Sequence, residues 1–348
     1  MFRKNLMYAA IAATLGLSGT VWGADSTATV TQAGSANNGV ITQAGVGIAG
    51  PASASIDQNG NNNTGSINQH DCCNPEATIT QVGSMHSSSI EQGNVYQTSA
   101  STIQNGHSNQ ANISQVQGSG GVTDDSGASI LQSGNDSSGA IYQQGSSHST
   151  AGIIQSTVSG TAAINQISGD SNSAAINQDN AFYAIAQIDQ SGSNNTANID
   201  QSSPTGSPYS DYAHANINQS SGDNAATINQ LSALSSEASV SQSGGGSHTA
   251  LVQQEEGNYL SASINQFGGG GEGGEGAAGE MATINQSGDY NYAWVSQGGS
   301  GNVANINQSG LGTAEAHNNA TITQAGSGNQ GTIIQSGGAG NSASIWQN

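Results

Sequence analysis

The chain has 348 residues, 50 of them glycine, with 7% charged and 4% aromatic residues and a formal net charge of −20 at pH 7. Its two basic residues, Arg3 and Lys4, both lie at the N-terminus, so everything beyond residue 24 carries 22 carboxylates and no Lys or Arg. That composition excludes nucleic acid as a partner, because phosphate recognition runs on cations, and it excludes internal salt bridges to Lys or Arg.

Taken in chain order, Arg3 and Lys4 precede an apolar run from Leu6 to Leu17, followed by small residues with Val21 and Gly23 before Ala24. This is the pattern of a secretory signal peptide, residues 1–23, too short for a permanent membrane span. From residue 24 to 348 one motif repeats, Ala-x-Ile-x-Gln, in 26 copies from the one ending at Gln32 to the one ending at Gln347. Ile or Val stands two residues before the Gln in every copy except one, where Thr102 takes the place. Ala, or else Gly or Ser, stands four before, and Asn stands six before in eleven copies, such as Asn37, Asn63 and Asn109. Alternation with period two predicts a β-strand and excludes an amphipathic helix. Seven residues from Asn to Gln are read as the strand, and the four or five between motifs, centred on Gly, as a tight turn.

Successive glutamines are mostly 11 or 12 residues apart, with five longer spacings of 15, 17, 18, 20 and 16 that hold loop segments such as "FGGGGEGGEGAAGE". After Gln166 two spacings of 12 follow one another, which can shift the short turn from one edge to the other. Pro51, Pro75, Pro204 and Pro208 fall between motifs or at a strand's first position, where a missing N–H costs little. Cys72 and Cys73 are adjacent in "HDCCNPE", which is no disulfide framework; a metal site with His70 and Asp71 is the weaker reading beside a local loop feature.

Constant spacing of one motif predicts an all-β solenoid, a single domain of about 13 two-strand coils with parallel strands stacked in register. Stacking also explains why amides share a face with isoleucine. A lone buried amide would cost a few kcal/mol, whereas each Gln over the Gln of the next coil donates to one neighbour and accepts from the other. The ladder expected to carry self-assembly comprises Gln32, Gln43, Gln58, Gln69, Gln81, Gln286, Gln297, Gln308, Gln324, Gln335 and Gln347, with Asn291, Asn302, Asn329 and Asn341. Ile56, Ile67, Ile284, Ile306, Ile322, Ile333 and Ile345 are expected in the dry core, opposite Ala. Tyr142, Trp294 and Trp346 fall on outward positions.

The first motif follows directly on the leader and the last ends one residue before Asn348, with no polar cap visible. Bare strand edges without Lys or Pro template further chains, which points to end-to-end polymerisation. The spread carboxylates are read either as a restraint on sideways clumping or as plain solvating charge. The seven histidines (70, 86, 107, 148, 214, 248 and 317) are scattered, His86 and His248 occupying Asn positions, and no nucleophile–acid–base constellation is legible. The chain is therefore read as no enzyme, with no metal and no cofactor. A calcium β-roll lacks its Gly-Gly-x-Gly-x-Asp repeat, and outward Thr-x-Thr occurs in only three motifs, too few for an ice-binding face.

Two strands per repeat, Gln spacings of 11 then 12, Gly after the first Gln and Asn-x-Ala before the second resemble the curlin repeat, most closely in "GDYNYAWVSQGGSGNVANINQSG", residues 288–310. The resemblance implies a β-solenoid subunit of a curli-like functional amyloid, a surface fibre of biofilm matrix for adhesion and cell aggregation. It further implies polymerisation with itself, a nucleator or second curlin subunit as partner, and export through an outer-membrane secretion pore. The Gly-rich export segment of the major curli subunit is missing here between leader and repeats, and the Ala-x-Ile-x-Gln form resembles the nucleating subunit as much as the major one. A monomeric secreted solenoid that binds surfaces or glycans through its loop insertions is the alternative reading.

Overall fold

The computed structural model describes residues 26–44, 51–118, 123–203, 212–245, 247–268 and 278–348. The leader 1–23 and parts of four of the five longer insertions lie outside the described residues. The described residues form two thirteen-stranded parallel sheets, between which successive motifs alternate, and a two-stranded one that pairs Val95–Tyr96 with Thr123–Asp124 in the arcs. Each motif lays one strand into the first wall (Thr27–Ser35, Ser53–Asn61, Glu76–Ser84 and onward) and the next into the second (Asn38–Ala44, Thr64–His70, Ser87–Gly93 and onward).

Across the motif the register is the same at every rung; beyond it the pairing shifts between Ser156 and Val158. Gln58 lies between Gln32 and Gln81, and Ile56 between Val30 and Ile79. This holds at the one copy that lacks Ile or Val, where Thr102 sits between Ile79 and Ile130. Thr102 is fully buried, and its hydroxyl meets the hydroxyl of buried Ser88 on the opposite wall at 2.7 Å, while neighbouring Ile103 faces outward. Ser88 itself stands where most copies carry Ala, so two departures from the motif satisfy each other.

The core is a single cluster of stacked Ile and Ala rows running the length of the solenoid. Ile56, Ile67, Ile284, Ile306 and Ile322 are at most 1% exposed, Ile333 is buried at 5%, and Ile345 on the last strand is only partly covered. The small residue is opposed by Ile of the other wall: a Cβ added to Gly65 would lie 3.1 Å from Ile56 Cγ2, and one added to Gly331 3.2 Å from Ile322 Cγ2. Ala or Gly therefore sets how closely the walls approach. Tyr142, Trp294 and Trp346 all face outward on the second wall, Trp346 being 77% exposed.

The strands mostly begin five residues before the Gln, as in Val303–Ser309, and end from none to four residues after it, so the motif's Asn belongs to the arc except in Asn291–Ser300 and Asn318–Ser327, which it opens. In the first rungs the 11-residue step leads from first wall to second, as from Gln58 to Gln69; from Gln190 it also serves the return, as from Gln190 to Gln201. The two 12-residue steps after Gln166 are where the edge changes. The buried Asn row moves with it: Asn37, Asn63 and Asn109 line one edge, while Asn172, Asn195, Asn224, Asn302 and Asn329 line the other. Asn291, Asn318 and Asn341 return to the first edge.

Candidate functional site: the buried amide ladders and their arcs

Every motif glutamine points inward, because its position shares parity with Ile and Ala. On each wall Nε2 of one Gln donates to Oε1 of the Gln in the next rung, in an unbroken file of twelve bonds, 24 over the two walls, of 2.6 to 3.0 Å. The second amide hydrogen of most crosses to the other wall. Gln58 donates to the carbonyl of Asn38, Gln81 to that of Thr64 and Gln297 to that of Met281. Rung-to-rung stacking accounts for one hydrogen; this cross-wall bond is the part that sequence reasoning missed. It satisfies the amide and fastens the two sheets together, which a fully buried amide requires.

Gln58, Gln69, Gln81, Gln286, Gln297, Gln308 and Gln324 are at most 2% exposed, Gln335 is 9% exposed, and Gln32, Gln43 and Gln347 on the outermost strands are half-buried. Among the described residues no strand pairs with the outer sides of Thr27–Ser35 and Asn38–Ala44, nor with those of Gln330–Ser336 and Ser342–Gln347. The files share one direction. Oε1 of Gln32 and Gln43 faces one end, and Nε2 of Gln335 and Gln347 stands at the other, where it donates to main-chain carbonyls of Asn319 and Gln330.

The asparagines do a different task in the arcs. Asn63 Nδ2 donates to the carbonyl of Gly83, and its Oδ1 accepts the main-chain N–H of His86 in the next rung. Asn302 and Asn291 each reach two arc carbonyls through Nδ2. Asn302 Oδ1 takes the N–H of Asn329, and Asn341 donates to Asn318 Oδ1. The four asparagines expected in the glutamine ladder thus form separate rows at the two edges, bonded chiefly to main chain.

His86 imitates Asn in this row. Its Nε2 lies 3.1 Å from the carbonyl of Val82, four residues back, as Asn109 Nδ2 lies from that of Asn105, and its Nδ1 accepts the N–H of Asn109. Nδ1 can accept only while the ring is neutral, and burial holds its pKa below the usual histidine value, against the hydrogen bond to Val82. His248 repeats the substitution, its Nδ1 accepting the N–H of Glu280, and burial lowers it likewise. Glu280 then occupies the row itself, fully buried, with Oε1 accepting from Asn302 and Oε2 3.8 Å from His248 Nδ1. Burial pushes its carboxyl from 4.5 up to about 7, against the opposing hydrogen bonds from Asn302 and the main chain of Phe267.

A raised carboxyl pKa means that folding takes up a proton. Glu280's contribution is therefore complete below its unfolded value near 4.5 and is lost as pH climbs through about 7. The loss amounts to about 3 kcal/mol. The lowered histidines act oppositely, their contribution being lost as pH falls below 6.5. Replacing Glu280 by Gln is expected to remove the alkaline decline, so that the urea midpoint of the variant at pH 8 exceeds that of the native chain. Superimposable midpoint–pH curves for the two chains would contradict this assignment.

Cys72 is buried in an arc against Ala52 and Val95, and Cys73 is partly exposed beside it; both are free. Burial, reinforced by Cys73 and Asp71, pushes the Cys72 thiol up to about 12, which makes it an inert packing residue. Among the described residues no group of three or more His, Cys, Asp or Glu is placed to hold a metal ion.

No curated protein matches this chain. Residues 281–310 match the family model described as the curlin associated repeat. The matched stretch spans the strands Met281–Ser287, Asn291–Ser300 and Val303–Ser309, and with them Gln286, Gln297, Gln308, Asn291 and Asn302. By that match the chain carries a curlin associated repeat, set within a β-solenoid.

Proposed function

We propose that this chain is the structural subunit of a curli-like amyloid fibre outside the cell, polymerising end to end to build biofilm matrix for adhesion and cell aggregation. The observation that carries the reading is the pair of open, directional amide files. Donor hydrogens at Gln335 and Gln347 complement the acceptors at Gln32 and Gln43. A second copy set on the same axis continues both glutamine rows. It also lays Asn37 beyond Asn341 on one edge, and Val30 and Ile41 beyond Ile333 and Ile345 in the core. Exposed parallel edges of this kind recruit strands through main-chain hydrogen bonds, and like residues over like make the new layer isoenergetic with the old. The carboxylates lie apart from those rows, on turns and outer faces with few exceptions, and keep fibres from clumping. Export through the leader and an outer-membrane pore, and growth from a nucleating second curlin subunit, complete the proposal.

The test is growth of the purified chain without its leader. It should form fibres with a meridional reflection near 4.8 Å. Converting Gln335 and Gln347 together to Ala is expected to lengthen the lag about tenfold, a change of about 1.4 kcal/mol in the growth barrier. Asn307→Ala, on the outer face, leaves it unchanged. A chain that stays monomeric for days at micromolar concentration would sink the proposal and favour a soluble solenoid.

A further inference from the structure

One position in the arcs from first wall to second has a positive φ in every rung but that of His317, whether filled by a small or a large residue: Asn62 at 56°, Met85 at 60°, Ser108 at 55° and Asp136 at 55°. Bulky side chains are rare in that region. Tyrosine nevertheless fills this position four times, at Tyr183, Tyr212, Tyr259 and Tyr290, with φ of 53°, 64°, 55° and 50°. Stacked rungs then place the rings over one another. Tyr183 and Tyr212 stack with centroids 5.3 Å apart and planes 7° from parallel, and Tyr259 and Tyr290 at 4.9 Å and 19°. Tyr183, Tyr212 and Tyr259 are about half exposed.

The two pairs sit where coils are longest. Regular rungs repeat every 23 or 24 residues, as from Gln155 to Gln178 and from Gln166 to Gln190. Tyr183 and Tyr212 are 29 apart, across the insertion before Gln219, and Tyr259 and Tyr290 are 31 apart, across the insertion before Gln286. We propose that these two tyrosine pairs are sites of oxidative coupling, each forming a dityrosine bond that staples adjacent rungs across an insertion.

The oxidant is hydrogen peroxide acting through a haem peroxidase. Each phenol gives up one electron and its hydroxyl proton, and the two phenoxyl radicals join ortho carbon to ortho carbon. Each ring then regains aromaticity by moving its ortho hydrogen to oxygen. One C–C bond forms, two hydrogens leave in total, and the peroxide is reduced to two waters. Near-parallel rings on neighbouring rungs, with at least one exposed partner in each pair, supply the proximity that radical coupling needs. The bond closes loops of about 30 residues, long enough to remove appreciable chain entropy from the unfolded state.

The full chain, treated with a haem peroxidase and hydrogen peroxide, is digested and its cross-linked peptides are mapped by mass spectrometry. Two links are expected, Tyr183–Tyr212 and Tyr259–Tyr290, each lighter by two hydrogens and formed in a yield unchanged over a tenfold range of protein concentration. Tyr183→Phe, which keeps the ring stack, should abolish the first link and spare the second, and Tyr259→Phe the reverse. The oxidised native chain should unfold at higher urea than the oxidised double variant. Absence of both links would overturn the assignment. So would links that appear only between molecules, or the same mixture, with Tyr96 and Tyr142 joining in, from folded and urea-unfolded chain alike.

Discussion

Gly60→Ala is expected to destabilise the chain by about 4 kcal/mol or more, among the largest single-residue effects available to it. Gly60 has φ +137°, and a Cβ there would stand 1.7 Å from the carbonyl oxygen of Gly83 in the next rung. That oxygen is not free to move, because it accepts the Nδ2 hydrogen of buried Asn63. One methyl group therefore both strains the backbone and prises apart an arc bond. Gly152→Ala makes the control: it has no positive φ, and its nearest neighbour would be Ser129 Oγ at 3.6 Å. There the smaller entropy of the unfolded chain should raise stability by up to about 1 kcal/mol. Urea denaturation of the two variants reads opposite signs; a loss below 1 kcal/mol at Gly60 would show that the arcs can relax.

Gln178→Leu is the second large effect. Gln178 accepts from Gln155 and donates both to Gln201 and to the carbonyl of Thr161. Leucine fills most of the volume but strands a hydrogen of Gln155 and the Oε1 of Gln201 in a fully buried file. At about 1–3 kcal/mol for each orphaned group, partly offset by leucine's own burial, the expected loss is about 3–5 kcal/mol. The outward Asn229→Ala on the same wall should cost less than about 0.5 kcal/mol. Because rungs contact only their neighbours, hydrogen exchange should quicken first at the rungs of Gln155 and Gln201 and fade beyond them. Uniform protection across the solenoid, or equal losses for Gln178→Leu and Asn229→Ala, would refute a file of coupled amides.

Strand positions, two strands per coil and the inward sharing of Gln with Ile were all legible in the sequence, since period two and a near-constant spacing leave few alternatives. The arcs were less so. Steps of 11 and 12 residues differ by one residue, and nothing in "NQISGDSNSAAINQ" (165–178) says on which edge it turns; that is settled by which wall its strand must rejoin. The spacing did mark Gln166 as the place to look. Glu280 was hidden because the ladder position tolerates Asn, His, Ser and Glu alike, so residue type does not reveal it. Its neighbour His248 was legible only as an Asn substitute. Cross-wall bonds from Gln Nε2 depend on how near the sheets approach, a quantity set by Ala and Gly opposite Ile and invisible in any single motif. Tyrosine stacking likewise emerges only once rungs are superposed.

The shared orientation of the amide files gives the molecule an electrical polarity. Main-chain dipoles in a sheet largely cancel, but the glutamine side-chain dipoles all add, as peptide units do in a helix. The edge bearing Gln32 and Gln43 is the negative pole and that bearing Gln335 and Gln347 the positive one. Filaments assembled on this pattern would keep the same dipole direction along their whole length. Two lying side by side would attract when pointed in opposite directions and repel when aligned, so bundles should contain equal numbers running each way.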